Sequence, residues 1–350
     1  MPRVPRSELI AKDEVGLFHC IQRCVRRAWL CGQDPYTGKN YDHRKVQIRQ
    51  RLEFLAGQFG IDVCSYAVMT NHLHVILRNR PDIVSEWSGE EVARRWWNLF
   101  PARRDEDGNP EVPYDHELKM LMADAKVLTE RRERLGSISW FMRCLAEPIA
   151  RQANKEDECT GRFWEGRFKC QPLLDETAIL ACSVYVDLNP IRAKVADAPE
   201  TSEFTSAHDR IHARRARQGK PRRRYRFSIT PRDNWLAPIE LAREAGSTPS
   251  GTGKRASNKG FLPMKLAEYL RVVEWTGRQI ARGKAGSIPR HLAPLFERVD
   301  LDPAFWVEMV RNYKRWFRSA AGTPASLALE ATRRGQSWLQ CGSATVALTA

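Results

Sequence analysis

Two apolar, β-prone runs, Ile61-Asp62-Val63-Cys64-Ser65-Tyr66-Ala67-Val68-Met69 and His72-Leu73-His74-Val75-Ile76-Leu77-Arg78, stand back to back with only Thr70-Asn71 between them. Short runs of this kind around a polar, turn-forming pair read as a β-hairpin. The two-residue period of a strand sends His72 and His74 to one face and Leu73, Val75 and Leu77 to the other. One face is thus suited to burial, and the other aims two imidazoles together.

Upstream, Gly16 to Val25 reads as a first strand. Tyr41 to Phe59 reads as a helix, with Val46, Ile48, Leu52, Leu55 and Phe59 recurring among charges before Gly60 ends it. Downstream, 81–136 becomes charged and irregular, with an Asp105-Glu106-Asp107-Gly108-Asn109-Pro110 turn between helices expected at about 88–99 and 116–134; it reads as an insertion. Ser139 to Asn154 resumes helix on the stripe Phe141, Leu145 and Ile149, with a kink expected at Pro148. Phe163 to Cys170 reads as a strand, and Asp175 as the N-cap of a helix through Ile179, Leu180, Val184 and Tyr185 that Pro190 stops. The Arg-dominated run Arg210 to Arg226 and the Gly/Ser/Thr/Lys stretch Gly246 to Gly260 suggest a domain boundary. The expected division is a catalytic domain over 1–230, a basic, Gly/Ser linker over 231–260 and a helical C-terminal region over 261–350. Amphipathic patterns in that region fall at about Pro263 to Arg282, His291 to Arg298 and Pro303 to Arg318.

At 350 residues the chain can bury a sizeable core without disulfides. Its 9 cysteines are scattered and include no C-x-x-C pair, so reduced thiols are expected rather than a disulfide framework or zinc ribbon. A formal charge of +15 and a pI near 9.6, with a good supply of Trp, Phe and Tyr, favour a polyanionic partner, nucleic acid first. No run of about 18 apolar residues exists, and Met1-Pro2-Arg3-Val4-Pro5-Arg6 lacks a signal peptide's apolar stretch. The expectation is a cytoplasmic protein with no membrane partner.

Several residues carry chemistry. An H-x-H pair such as His72/His74 can hold a divalent metal that polarises a phosphoryl oxygen, or be two ordinary histidines. Tyr185 and Asn189, four apart on one helix face, read as nucleophile and further metal ligand, or as packing residue and helix stop. Gly161-Arg162-Phe163-Trp164-Glu165-Gly166-Arg167-Phe168-Lys169 alternates cations and aromatics, which suits stacking of unpaired bases with phosphates on Arg and Lys, or a half-buried strand. Arg210 to Arg226 reads as a phosphate-tracking arm or a solvated connector. His208 and His212 share a helix face but lack the Glu of a hydrolytic zinc motif, and Cys20, Cys24 and Cys31 near His19 fit no standard ligand spacing. Arg311, Lys314, Arg315 and Arg318 crowd with Trp316 and Phe317 on one segment, as extra DNA contacts or as the solvated face of a packing helix.

Taken in order, Phe18-His19-Cys20-Ile21-Gln22-Arg23, Tyr66 to His74, Gly161 to Lys169 and Tyr185-Val186-Asp187-Leu188-Asn189-Pro190-Ile191-Arg192-Ala193 resemble the single-tyrosine HUH transposases. Within them, the likeness is to the REP-associated tyrosine transposase branch of the insertion-sequence-200-like family, over about residues 10–210 with the insertion discounted. The resemblance implies an α/β (α+β) HUH endonuclease fold, a ferredoxin- or RRM-like antiparallel sheet with helices on one face and the active site on the other. It places the metal on His72, His74 and Asn189, with Mg²⁺ or Mn²⁺ as the ion, and the nucleophile on Tyr185. It assigns DNA contacts to Arg162, Phe163, Trp164, Arg167, Lys169 and Arg192. The implied substrate is hairpin-bearing single-stranded DNA, such as a repetitive extragenic palindrome or an insertion-sequence end, cleaved and rejoined through a 5′-phosphotyrosine by a monomer or homodimer at the bacterial nucleoid. Thr70 stands where the family commonly has Pro, a turn substitution that affects hairpin rigidity more than chemistry. Two other readings are a non-catalytic hairpin-binding module and a metal-dependent phosphoesterase with a water nucleophile.

Overall fold

The expected hairpin forms: β2 (Ile61–Val68) pairs antiparallel with β3 (His72–Asn79), and the Met69 N–H closes the turn on the His72 carbonyl at 2.8 Å. The structure, a computed structural model, describes residues 6–11, 13–25, 30–34, 38–218, 231–241, 254–282 and 302–339. β1 (Leu17–Arg23) and β4 (Lys169–Leu173) complete a sheet of order β2-β3-β1-β4, antiparallel throughout. A short α1 (Arg6–Leu9) precedes β1, and α2 (His43–Gln58) joins β1 to β2. Between β3 and β4 lie α3 (Pro81–Glu86), α4 (Gly89–Leu99), α5 (Asp115–Met122), α6 (Ala125–Leu135) and α7 (Ile138–Glu156). After β4 come α8 (Glu176–Asp187), α9 (Asn189–Arg192), α10 (Ser206–Gln218), α11 (Leu266–Arg282), α12 (Pro303–Trp316) and α13 (Pro324–Arg333). Each of the crossovers through α2 and α7 joins two parallel strands with one strand between them, the split β-α-β arrangement.

The alternation in β3 works as its period dictates. Leu73, Val75 and Leu77, with Phe18 and Cys20 of β1, face a core filled by Ile48, Leu52 and Leu55 of α2 and Phe141 and Leu145 of α7. Each such side chain, fully buried, contributes about 1.5–3 kcal/mol. The helix expected over 139–154 forms as α7, one element that continues through Pro148. The strand expected at Phe163 to Cys170 is displaced: Gly161 and Gly166 sit at φ 106° and 155°, conformations that break an extended run, and β4 begins only at Lys169. The insertion at 81–136 holds α3 to α6, which pack on one another and on α2, with Val92, Leu99 and Leu135 in the same core.

Two expectations change. The second sheet face carries helices as well. Cys64, Ala67, Ile76 and Leu173 make that face apolar, and α8, buried on every side from Ala178 to Asp187, lies across it. A helix apolar all round must be covered in turn, and α11 and α12 do so with Tyr269, Val272, Val273, Trp306, Val310 and Tyr313. The packing therefore does not divide at 231–260. Trp235 and Leu236 lie in the first core, Ile239, Phe261 and Leu262 in the second, and the Ala237 N–H donates to the Val63 carbonyl at 2.9 Å. Asp62, at the hairpin's open end, accepts from Arg78 Nη2 at 2.6 Å and from the Ser257 N–H at 3.0 Å. The helix expected at His291 to Arg298 lies outside the described residues.

Gly260 marks how closely this return segment approaches. A Cβ there would stand 1.8 Å from the Glu240 carbonyl oxygen, which is backbone and cannot swing aside. Gly260→Ala is expected to destabilise the whole protein by about 1–3 kcal/mol, read as a lowered urea midpoint with unchanged slope. An unchanged midpoint would mean that residues 254–262 do not share the fold's cooperativity.

Candidate active site

α8 owes its position to its N-cap. Asp175 accepts the Ala178 N–H at 2.9 Å, as expected from sequence, and the helix delivers Tyr185 to the sheet beside His74. The rings of Tyr185 and His74 are 5.7 Å apart at 87°, and those of His72 and His74 are 4.8 Å apart. Two neighbours on β3 and one residue of the distant α8 thus meet at one cavity of about 490 Å³. A fourth, His19 of β1, joins them: its Nε2 lies 2.8 Å from His74 Nδ1, and its ring is 6.1 Å from that of Tyr185.

The histidines are suited to holding a cation. His72 Nδ1 lies 2.7 Å from Asn71 Oδ1, an acceptor, so the proton sits on Nδ1 and the Nε2 lone pair is left available. His74 Nε2 is buried with no hydrogen-bond partner, an orphan of the kind an ion or substrate atom would satisfy. Burial holds both rings neutral: His72 titrates at about 4, with Arg23 and Lys314 adding to the effect, and His74 lies well below the usual imidazole value. Neutral imidazole is the ligand form. Two nitrogens alone do not complete a site, and among the described residues no group of three or more His, Cys, Asp and Glu could hold a metal. The remaining positions would fall to amides, water or substrate oxygens.

Asn189 sits past the end of α8 in α9 and donates from Nδ2 to the Tyr185 carbonyl at 3.1 Å. Its Oδ1 is the atom it can offer to a cation. Arg192 turns inward: its guanidinium carbon lies 4.5 Å from the Tyr185 ring centre, it hydrogen-bonds the hydroxyl, and its Nη2 donates to the Arg311 carbonyl at 2.9 Å. Tyr185 is 4% exposed, and burial raises its hydroxyl above the ordinary phenol value although Arg192 and Asn189 pull the other way.

Of the glycine-flanked stretch, Arg162, Arg167 and Lys169 are exposed, and Arg167 and Lys169 line the cavity. The aromatics do not present their faces to it. Phe163 and Phe168 are core residues, and Trp164 is half-buried with its Nε1 donating to the Ala146 carbonyl at 2.8 Å. Base stacking on Phe163 is therefore corrected: the alternation there serves packing. Arg210, read as the start of a phosphate arm, is buried and donates to the Cys64 and Ala237 carbonyls. The His208 and His212 rings on α10 lie 4.2 Å apart, tilted at 45°, and residues 219–226 lie outside the described set.

Sequence reasoning named Lys314, Phe317 and Arg318 as candidate DNA contacts but missed Tyr313 and did not place this segment at the Tyr185 cavity, whose far wall it forms. Tyr313, Lys314, Phe317 and Arg318 line the cavity from α12 and the residues just after it, and the Tyr313 ring stacks on Tyr185 at 4.9 Å and 28°. Arg23, Arg167, Lys169, Lys314 and Arg318 give the lining 5 cations against the single carboxylate of Glu165. Tyr66 of β2 is buried away from this cavity, with its hydroxyl on Asp209 at 2.7 Å and its ring beside Trp235 in the other core.

The depressed histidines make a stability prediction. In the unfolded chain each ring binds a proton below about 6.5; in the fold His19 and His72 resist until about 4. The unfolded state binds more protons across that window, so stability is full above it and falls as pH drops through it. His19 alone accounts for about 3 kcal/mol. Urea titrations at about pH 7 and about pH 4.5 check this, and equal free energies would contradict it.

The chain matches no protein-family model and no curated protein. Among solved structures, that of a REP-associated tyrosine transposase bound to a REP hairpin is similar at 12% identity and a TM-score of 0.31, over 56% of this chain and 79% of that one. Likeness of that degree establishes neither the fold nor the activity of this chain.

Proposed function

We propose that the protein is a metal-dependent, single-strand DNA nuclease and strand-transferase of the single-tyrosine HUH kind, cutting hairpin-flanked DNA with Tyr185. The observation that supports this most is the convergence of His72, His74 and Tyr185, from β3 and α8, on one cation-rimmed cavity. His72 and His74, with the Asn189 Oδ1 as a further donor, would hold a divalent ion, Mg²⁺ or Mn²⁺, which when bound would offset negative charge building on the scissile phosphate. Lys314, Arg318, Lys169 and Arg23 hold the flanking phosphates. Tyr185 Oη forms a bond to phosphorus as the bond from phosphorus to the 3′ oxygen breaks, and the phenolic proton ends on that oxygen. Arg192 offsets the charge that builds on the phenol while its proton leaves. The phosphodiester is exchanged rather than hydrolysed, so a second 3′-hydroxyl can reverse the step without an energy source.

The experiment is to incubate the protein with labelled, hairpin-bearing single strands and Mn²⁺ and look on a denaturing gel for protein-linked label. A covalent product that EDTA prevents is the expected result. The deep burial of Tyr185 favours a second reading, a cavity that binds a single strand without cutting it, and absence of any linked product across varied hairpins would select that reading.

The cationic wall makes its own prediction. Lys314 and Arg318 are exposed, so their removal should spare the fold. Lys314→Ala with Arg318→Ala is expected to weaken single-strand binding alike for all sequences and to lower the slope of log affinity against log salt by about 0.7 for each lost phosphate contact. A slope unchanged in the double variant would remove α12 from the DNA path.

A further inference from the structure

His19 is buried, lies in the site, and is used by nothing described so far. We infer that it is a positioning residue: a hydrogen-bond chain from the C-terminal segment through Gln171 and His19 fixes the His74 tautomer that turns a bare Nε2 lone pair into the cavity. The inference rests on the reading of His74 as a cation ligand and adds what prepares it.

The chain can be followed from residue to residue. Gln171 of β4 stands opposite His19 in the β1–β4 register. Its Nε2 donates to the Phe317 carbonyl at 2.9 Å and to that of Arg318 at 3.4 Å, just beyond α12. That orientation leaves Oε1 for the other side, where it accepts from the Tyr313 hydroxyl at 3.2 Å and from the His19 ring. Only a protonated ring nitrogen can meet Oε1, and His19 Nε2 is already engaged with His74, so His19 carries its proton on Nδ1. His19 Nε2 is then a lone pair, and the 2.8 Å contact requires the proton to sit on His74 Nδ1. What remains on His74 is an unprotonated Nε2, the buried atom with no partner. With the opposite tautomer, His74 and His19 would face each other lone pair to lone pair, and an N–H would point into the cavity.

Partners of this kind, one bond behind a ligand, orient the ring and raise its basicity, and losing one costs about 10- to 100-fold in metal affinity. The acceptor end of the chain is the backbone carbonyls of residues 317 and 318, so the C-terminal segment takes part in preparing the site as well as covering α8. This gives a physical reason for that segment to share the fold with the sheet.

The test has two readouts on the full chain. Long-range ¹H–¹⁵N correlation of the metal-free protein near neutral pH reports which nitrogen of His74 is protonated, and Mn²⁺ titration followed by electron paramagnetic resonance reports affinity. The expected results are an Nδ1–H tautomer for His74 in the wild type and a Mn²⁺ affinity about 10- to 100-fold weaker in His19→Phe. His19→Gln, which restores an acceptor oxygen, should bring back most of the affinity. If His19→Phe does not fold, Gln171→Leu, which leaves both imidazoles in place, is read the same way. A wild-type His74 protonated on Nε2, or a folded His19→Phe that binds Mn²⁺ like the wild type, would overturn the inference. A wild type that binds no Mn²⁺ would instead sink the metal reading, while the tautomer still decides the hydrogen-bond chain on its own.

Discussion

Tyr185→Phe is expected to lower formation of the covalent protein–DNA product by on the order of 10⁴-fold or more, with single-strand affinity unchanged. The substitution removes one oxygen and little else. A Phe ring keeps the stacking on Tyr313 at 4.9 Å and the edge contact with His74 at 5.7 Å. Asn189 bonds the backbone carbonyl of residue 185, which the change does not touch. The three functional readings separate on this one variant. A strand-transferase loses cleavage and adduct together, a hydrolase that uses water keeps cutting, and a binding module shows no difference because there was no cleavage to lose. The reaction is measured by quenched time courses on a labelled hairpin strand, with affinity measured beside it.

Asp187→Ala is expected to destabilise the fold by roughly 3–5 kcal/mol, about 1–3 for each donor left without its acceptor. Asp187 closes α8 two residues after Tyr185 and is wholly buried. It accepts from Ser206 Oγ at 2.5 Å, the Ala207 N–H at 2.9 Å and the Tyr269 hydroxyl at 2.5 Å. One carboxylate therefore ties the helix that carries Tyr185 to α10 and α11. Burial raises its pKa even though these three donors oppose the shift. Asp187→Asn keeps an acceptor oxygen for Ser206 and Ala207 and should recover most of the loss. Urea unfolding of the two variants is the check, and an Asp187→Ala protein as stable as the wild type would mean that α10 and α11 are not held through this residue.

The hairpin, the facing of His72 and His74, and the Asp175 cap were legible because each follows from a local rule, a two-residue period or a side chain reaching its own helix. The long-range partners were not. Period alone places His19 on a face of β1 without saying that β1 lies beside β3, so the contact with His74 cannot be read from the strand itself. The stretch 161–169 misled for a related reason: alternating cations and aromatics look the same whether the aromatics turn toward a ligand or toward the core, and Phe163 and Phe168 turned to the core. The segment Pro303 to Arg318 was recognised as helix from its periodicity, yet its charged crowd is split by position, with Lys314 and Arg318 on the cavity and Arg311 beside Glu308. The Gly/Ser and Arg-rich composition near 231–260 suggested a linker, but Trp235, Leu236, Phe261 and Leu262, four large apolar side chains among polar neighbours, were the sign that this stretch returns to the core.

The central claim is that one phenol, Tyr185, takes the phosphate at the His72/His74 corner. Its most direct test is to trap the reaction with a hairpin strand and Mn²⁺, digest protein and DNA, and locate the nucleotide by peptide mass spectrometry. The account predicts the added mass on the Tyr185 side chain and nowhere else. A nucleotide on Tyr313, the other phenol at the cavity, or cut DNA with no modified peptide at all, would contradict it.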